Sequence, residues 1–180
     1  MPIPVNLPNL ITIARILMVP LTVWLIIIGR HELAFAVFVL AGISDGVDGY
    51  IAKRFDMRSE LGAHLDPLAD KMLLVAIYVT LGILEQMPAW LAILVVSRDM
   101  LIVGGVVLAW LMEHPMSMRP LMISKINTTV QIVFAGAWLF FLGNGWDTAP
   151  LATWGAPLVA AFTIASGALY LRDWLRHMTR

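Results

Sequence analysis

Residues 32–71 read ELAFAVFVLAGISDGVDGYIAKRFDMRSELGAHLDPLADK. The stretch opens with a run free of charge from Leu33 to Ile43, then turns acidic at Asp45 and Asp48 and again at Asp66 and Asp70. Asp45 and Asp48 stand at i,i+3, and Asp66 and Asp70 at i,i+4, so each pair lies on one face of a helix. The polar link between the two halves is short, which predicts an antiparallel helical hairpin whose acidic pairs face each other.

Outward from that hairpin the chain stays apolar. Of 180 residues 60% are hydrophobic and 13% charged, with a mean hydropathy of +0.85; a soluble domain carries a quarter of its residues as charges. Apolar segments at roughly 10–29, 32–53, 63–84, 88–111, 124–143 and 150–171 are each near the ~20 residues that span a bilayer as a helix. The expectation is an all-α integral membrane protein of six transmembrane helices, forming one domain over residues 1–180, without internal repeats or low-complexity linkers. The turns between spans are marked by Gly29-Arg30-His31-Glu32, Met87-Pro88 and Gly143-Asn144-Gly145. Twelve Lys and Arg balance twelve Asp and Glu, so no basic field for nucleic acid exists. With no cysteine, disulfides, thiolate metal sites and thiol nucleophiles are excluded. The N-terminal MPIPVNLPN lacks a cationic region, and Arg15 interrupts the apolar run after it, so a removable signal peptide is not expected.

Cation placement orients the spans. Lys53, Arg54, Arg58, Arg119, Lys125, Arg172, Arg176 and Arg180 fall on one side and Arg30 on the other, which predicts cytoplasmic N- and C-termini. Trp90, Trp146 and Trp154 then lie near the outer interface, and Trp110 and Trp174 near the inner one, although lipid-facing packing explains each of them alone equally well.

Charges inside a bilayer protein are costly and mark function. Four carboxylates at one depth repel unless cations neutralise them, and an all-oxygen donor set suits a hard divalent ion such as Mg²⁺ or Mn²⁺. The competing reading is four solvated helix-end charges, which does not explain their spacing. Gly46, Gly49 and Gly62, with Ala52, lie beside the aspartates and let a phosphate or nucleotide approach the backbone; Gly42 and Gly46 also suit close helix packing. Arg98 and Lys125 form a candidate anionic-acceptor site, against the alternative that Arg98 pairs with an aspartate of the second or third helix. A cation or proton transporter is the reading from another class. It fits less well, because the outer-half charges are only Arg30, Glu32, Glu85 and Asp147 and give no path across.

The hairpin resembles the CDP-alcohol phosphotransferase signature D-x2-D-G-x2-A-R-x8-G-x3-D-x3-D. Asp45, Asp48, Gly49, Ala52, Gly62, Asp66 and Asp70 match, while Lys53 replaces the arginine and loses its bidentate phosphate geometry. Pro8-Asn9-Leu10-Ile11-Thr12-Ile13-Ala14-Arg15, Ser97-Arg98-Asp99 and Ser124-Lys125-Ile126-Asn127-Thr128 are similar to segments of the branch making phosphatidylglycerophosphate and cardiolipin. The resemblance covers roughly residues 6–135 and offers nothing for the sixth helix. It implies a six-helix homodimer in a bacterial or mitochondrial inner membrane, with its site facing the cytoplasm or matrix. Two divalent metals, Mg²⁺ or Mn²⁺, would be held by Asp45, Asp48 and Asp66 and completed by Asp70, which also serves as general base. CDP-diacylglycerol would meet Asp45, Asp48, Gly49, Ala52, Lys53, Gly62 and Asp66, with Asn9, Thr12 and Arg15 touching lipid or diphosphate. The acceptor at Arg98 and Lys125 is expected to be phosphatidylglycerol, giving cardiolipin and CMP; glycerol-3-phosphate is the alternative.

Overall fold

The computed structural model describes residues 7–54, 60–111 and 122–178; within its helices the side chains of residues 7–12, 47–54, 60–70, 106–107, 110 and 177–178 lie outside the description. The described residues form six α-helices and no strand: α1 (Leu7–Ile27), α2 (His31–Arg54), α3 (Glu60–Ile83), α4 (Ala89–Leu111), α5 (Met122–Gly143) and α6 (Ala156–Met178). A single π-helical turn, Leu151–Gly155, leads into α6.

All six apolar segments are largely helical, and some of the helices outrun them at one end. α3 starts at Glu60 rather than 63, and α6 runs on to Met178 rather than stopping at 171. Hydropathy finds only the apolar part of a helix, whereas Arg172-Asp173-Trp174-Leu175-Arg176 keeps good helix formers beyond it.

The three turns on the Arg30 side share one geometry. Gly29 donates to the Ile26 carbonyl at 3.0 Å and Arg30 to that of Leu25 at 2.8 Å. The same 5→2 and 6→1 pattern joins Gly145 to Leu142 and Trp146 to Phe141, and again Glu85 to Gly82 and Gln86 to Leu81. Such a Schellman close requires one left-handed residue, supplied by Gly29 (φ 74°), Gly145 (φ 66°) and the non-glycine Glu85 (φ 57°). Gln86 is then held from both sides. Its carbonyl accepts from Trp138 Nε1 at 3.0 Å, and its amide oxygen lies 2.9 Å from His31 Nε2.

The helices close into a ring: α1 packs on α2 and α3, α2 on α5, α5 on α6, α6 on α4 and α4 back on α3, with α3 also reaching across to α5. Leu25, Ile77, Tyr78, Leu81, Leu91, Val95, Trp138 and Val159 fill the centre. A Cβ on Gly82 would come within 3.1 Å of that of Ala92, so α3 and α4 approach closely there.

Outside, every helix presents large apolar side chains: Leu17, Ile43, Ile83, Ile93, Val133 and Ile164 are all exposed, one on each of α1 to α6. Inside, Arg15, Arg98, Asp99, Asn127, Gln131, Thr163 and Ser166 are buried. Apolar outside and polar inside inverts the soluble pattern. By length and composition two described segments are long and apolar enough to cross a membrane, Met122–Gly143 and Leu151–Arg176; shorter apolar stretches lie at Ile13–Ile27 and Lys71–Ile83.

Candidate active site

Three paired charges of α1 to α3 lie well away from the three Schellman turns. Arg15 lies twelve residues before the end of α1, Asp45 fourteen after the start of α2 and Lys71 twelve before the end of α3. At 1.5 Å per residue these positions are about 18–21 Å along the helix from that end.

Arg15 on α1 reaches Asp45 on α2, with Nη1 2.9 Å from Oδ1. The two partners differ in exposure: the Arg15 side chain is 1% exposed and the Asp45 side chain 45%. Arg15 is thus the buried anchor, and Asp45 keeps an open flank. The α1 segment and the first signature aspartate, far apart in sequence, form one unit.

A second charged group ties α3 to α4. Lys71 Nζ donates to Asp99 Oδ1 at 3.1 Å, and Arg98 Nη1 donates to the same oxygen at 2.7 Å. Arg98 Nη2 donates to Ser124 Oγ on α5 at 2.7 Å and to Ser166 Oγ on α6 at 2.5 Å. One guanidinium therefore joins three helices.

Below it the polar seam continues between α5 and α6. Gln131 Nε2 donates to Thr163 Oγ1 at 3.1 Å, whose hydroxyl donates to Asn127 Oδ1 at 3.0 Å. Tyr78 of α3 donates to the Gln131 carbonyl at 3.1 Å. Ser124, Asn127 and Gln131 recur at i, i+3 and i+7 on α5, and Thr163 and Ser166 at i,i+3 on α6, one face of each helix.

Of the expected site residues, the structure brings Arg15 and Asp45 together. Asp48, Gly49, Ala52 and Lys53 lie in the last turns of α2, Gly62, Asp66 and Asp70 in the first turns of α3, and Asn9 and Thr12 in α1; their side chains lie outside the described residues. Among the described residues no group of three His, Asp or Glu gathers, and Asp45 is the one described member of the acidic set. Its setting fits a metal-binding set: an oxygen donor, half exposed, and fixed from behind by a buried guanidinium.

Arg98 is 5% exposed and both terminal nitrogens are engaged. Among the described residues its carboxylate partner is its own neighbour Asp99. Lys125 is exposed at the start of α5, one residue beyond Ser124. Sequence reasoning missed Lys71, Asp99, Gln131, Thr163 and Ser166. The signal for Asp99 was present, since an acid beside an arginine in an apolar segment is itself a charge needing a partner; that for Thr163 and Ser166 was two hydroxyls at i,i+3 in an apolar helix.

The family model for CDP-alcohol phosphatidyltransferase matches residues 5–166. The chain belongs to this family. Among curated CDP-alcohol phosphatidyltransferase relatives, the cardiolipin synthase (CMP-forming) of Homo sapiens is 34% identical over 150 residues, covering 74% of this chain and 50% of that protein. The cardiolipin synthase (CMP-forming) / mitochondrial hydrolase fusion protein of Schizosaccharomyces pombe is 35% identical over 188 residues, covering 92% of this chain and 30% of that protein. The chain thus spans half or less of these two relatives. The CDP-diacylglycerol--glycerol-3-phosphate 3-phosphatidyltransferase of Bacillus subtilis (strain 168) is 35% identical over 190 residues, covering 94% of this chain and 95% of that protein.

Proposed function

We propose that this chain transfers a phosphatidyl group from CDP-diacylglycerol to the hydroxyl of phosphatidylglycerol, giving cardiolipin and CMP. The observation that carries the reading is the Arg15–Asp45 pair, which couples the α1 segment to the first acid of the family signature. The chain acts as a single six-span membrane domain with both ends cytoplasmic, paired with a second copy. An apolar exterior on all six helices supports the six spans better than hydropathy windows do, because charges facing inward lower a window's average without touching lipid.

Asp45, Asp48, Asp66 and Asp70 would hold two Mg²⁺ or Mn²⁺ ions. When bound, these ions neutralise the diphosphate and the charge that develops on the departing CMP. Arg15 steadies Asp45 from its buried side. Gly49, Ala52 and Gly62 leave room for the CDP moiety to lie against the helix backbone, with Lys53, Asn9 and Thr12 contributing contacts around it. Asp70 takes the proton from the acceptor hydroxyl as its oxygen bonds to the lipid-side phosphorus. The bond from that phosphorus to the bridging oxygen breaks, and CMP leaves.

The acceptor choice follows from how Arg98 is used. Glycerol-3-phosphate carries a phosphomonoester that calls for several charge-assisted donors, and both terminal nitrogens of Arg98 are already bonded to Asp99, Ser124 and Ser166. A phosphodiester asks for less. Exposed Lys125 then meets the acceptor phosphate, and Arg98 holds α4, α5 and α6 around it. The test offers purified protein CDP-diacylglycerol and Mn²⁺ with either phosphatidylglycerol or glycerol-3-phosphate and measures CMP. Release with phosphatidylglycerol alone is expected; release with glycerol-3-phosphate alone overturns the acceptor assignment.

A further inference from the structure

Among the described residues, α2 and α3 are each tied to a neighbouring helix by an ion pair. On α2 the tie is direct, since Asp45 itself pairs with Arg15 of α1. On α3 it is made by Lys71, the residue immediately after Asp70, which reaches Asp99 of α4 at 3.1 Å. Asp99 is itself fixed: it is 9% exposed, and its Oδ1 also accepts from Arg98, which Ser124 and Ser166 clamp to α5 and α6. The α3 end that carries Asp66 and Asp70 is therefore moored, through Lys71, to an α4 carboxylate that Arg98 braces against α5 and α6.

We propose that the Lys71–Asp99 pair is a positioning device for the divalent-metal set. It holds the first turns of α3 at the height and rotation at which Asp66 and Asp70 meet the acids of α2. The inference rests on the metal reading above, and neither residue touches metal or substrate in it.

Charge and geometry predict opposite signs, which makes the idea testable. Lys71 is a cation beside a site for cations. If its charge were all that mattered, Lys71→Met would remove a repulsion and tighten metal binding. As a mooring, its loss lets α3 shift and weakens binding. Mutations of residues that orient metal ligands typically cost about 10–100-fold in affinity, and a residue acting through the backbone belongs near the lower figure, roughly tenfold.

The experiment titrates Mn²⁺ into the full chain in detergent and follows free Mn²⁺ by electron paramagnetic resonance, with no lipid substrate and no turnover. Lys71→Met should weaken Mn²⁺ roughly tenfold, and Lys71→Arg, which still reaches Asp99, should stay near the wild type. Asp99→Glu serves as the second variant: it keeps both charges but moves the carboxylate by one methylene, and it should also bind Mn²⁺ more weakly. Unchanged or tighter binding in Lys71→Met overturns the proposal. Should that variant fail to fold, wild-type affinity in Asp99→Glu overturns it instead. A wild-type protein that binds no Mn²⁺ removes the metal reading, and this one with it; a wild type that binds alongside indifferent variants removes this one alone.

Discussion

Replacing Arg98 by Met separates a helix clamp from an acceptor contact. Arg98 donates three hydrogen bonds to α4, α5 and α6 from a site 5% exposed. Hydrogen bonds involving a charged group contribute about 1.5–3 kcal/mol each, but much of that sum offsets the cost of burying a guanidinium. Ser124 and Ser166 can turn their hydroxyls to their own helix carbonyls, and Asp99 keeps Lys71. Arg98 Nε is buried and has no hydrogen-bond partner among the described residues, so nothing is lost at that atom. The net cost falls at the low end of the range for breaking a buried pair, about 3 kcal/mol. For a chain of this size that lowers the melting temperature by about 6–12 °C. The assay is thermal unfolding in detergent, run with and without phosphatidylglycerol. A melting temperature within about 2 °C of the wild type, together with a large rise in the KM for acceptor, would refute the clamp.

Three other outcomes follow from the same geometry. Asp70→Asn should retain metal and CDP-diacylglycerol binding but lose turnover by about 10²–10⁴-fold, the usual contribution of a general base; full turnover removes the base assignment. Glu85→Gly should stabilise the protein by about 1 kcal/mol, because Glu85 holds φ 57° in a Schellman close that glycine adopts without strain; a fall in melting temperature would contradict that. Chelation should abolish CMP release, and Mg²⁺ or Mn²⁺ should restore it, checked on one sample by successive additions of chelator and metal.

The sequence reveals the helices because each carries an apolar stretch near bilayer length, and it singles out Asp45 because a charge in an apolar segment is costly and needs a partner. It locates the turns at Gly29 and Gly145 through glycine. The third is less clear, since Glu85 takes the left-handed position against its intrinsic preference and Pro88 marks only the neighbourhood. Partnerships are harder to read. Arg15 and Asp45 belong to motifs thirty residues apart, and no local rule joins them; the packing of α1 on α2 does. Arg98 invites an anion-site reading because an arginine amid apolar residues needs a counter-charge. Its actual neighbours include Ser124 and Ser166, 26 and 68 residues away, which periodicity along one helix cannot supply. Helix existence is a local property of the chain, whereas the polar seam depends on which helices meet.

The central claim, that carboxylates of the α2–α3 hairpin carry the transfer, is tested most directly by CMP release from CDP-diacylglycerol in purified Asp45→Asn, Asp48→Asn and Asp66→Asn proteins that retain the wild-type melting temperature. Each should release CMP at less than about one hundredth of the wild-type rate, a loss of roughly 2.7 kcal/mol or more of transition-state stabilisation. Near-wild-type release from any two of them would contradict the account.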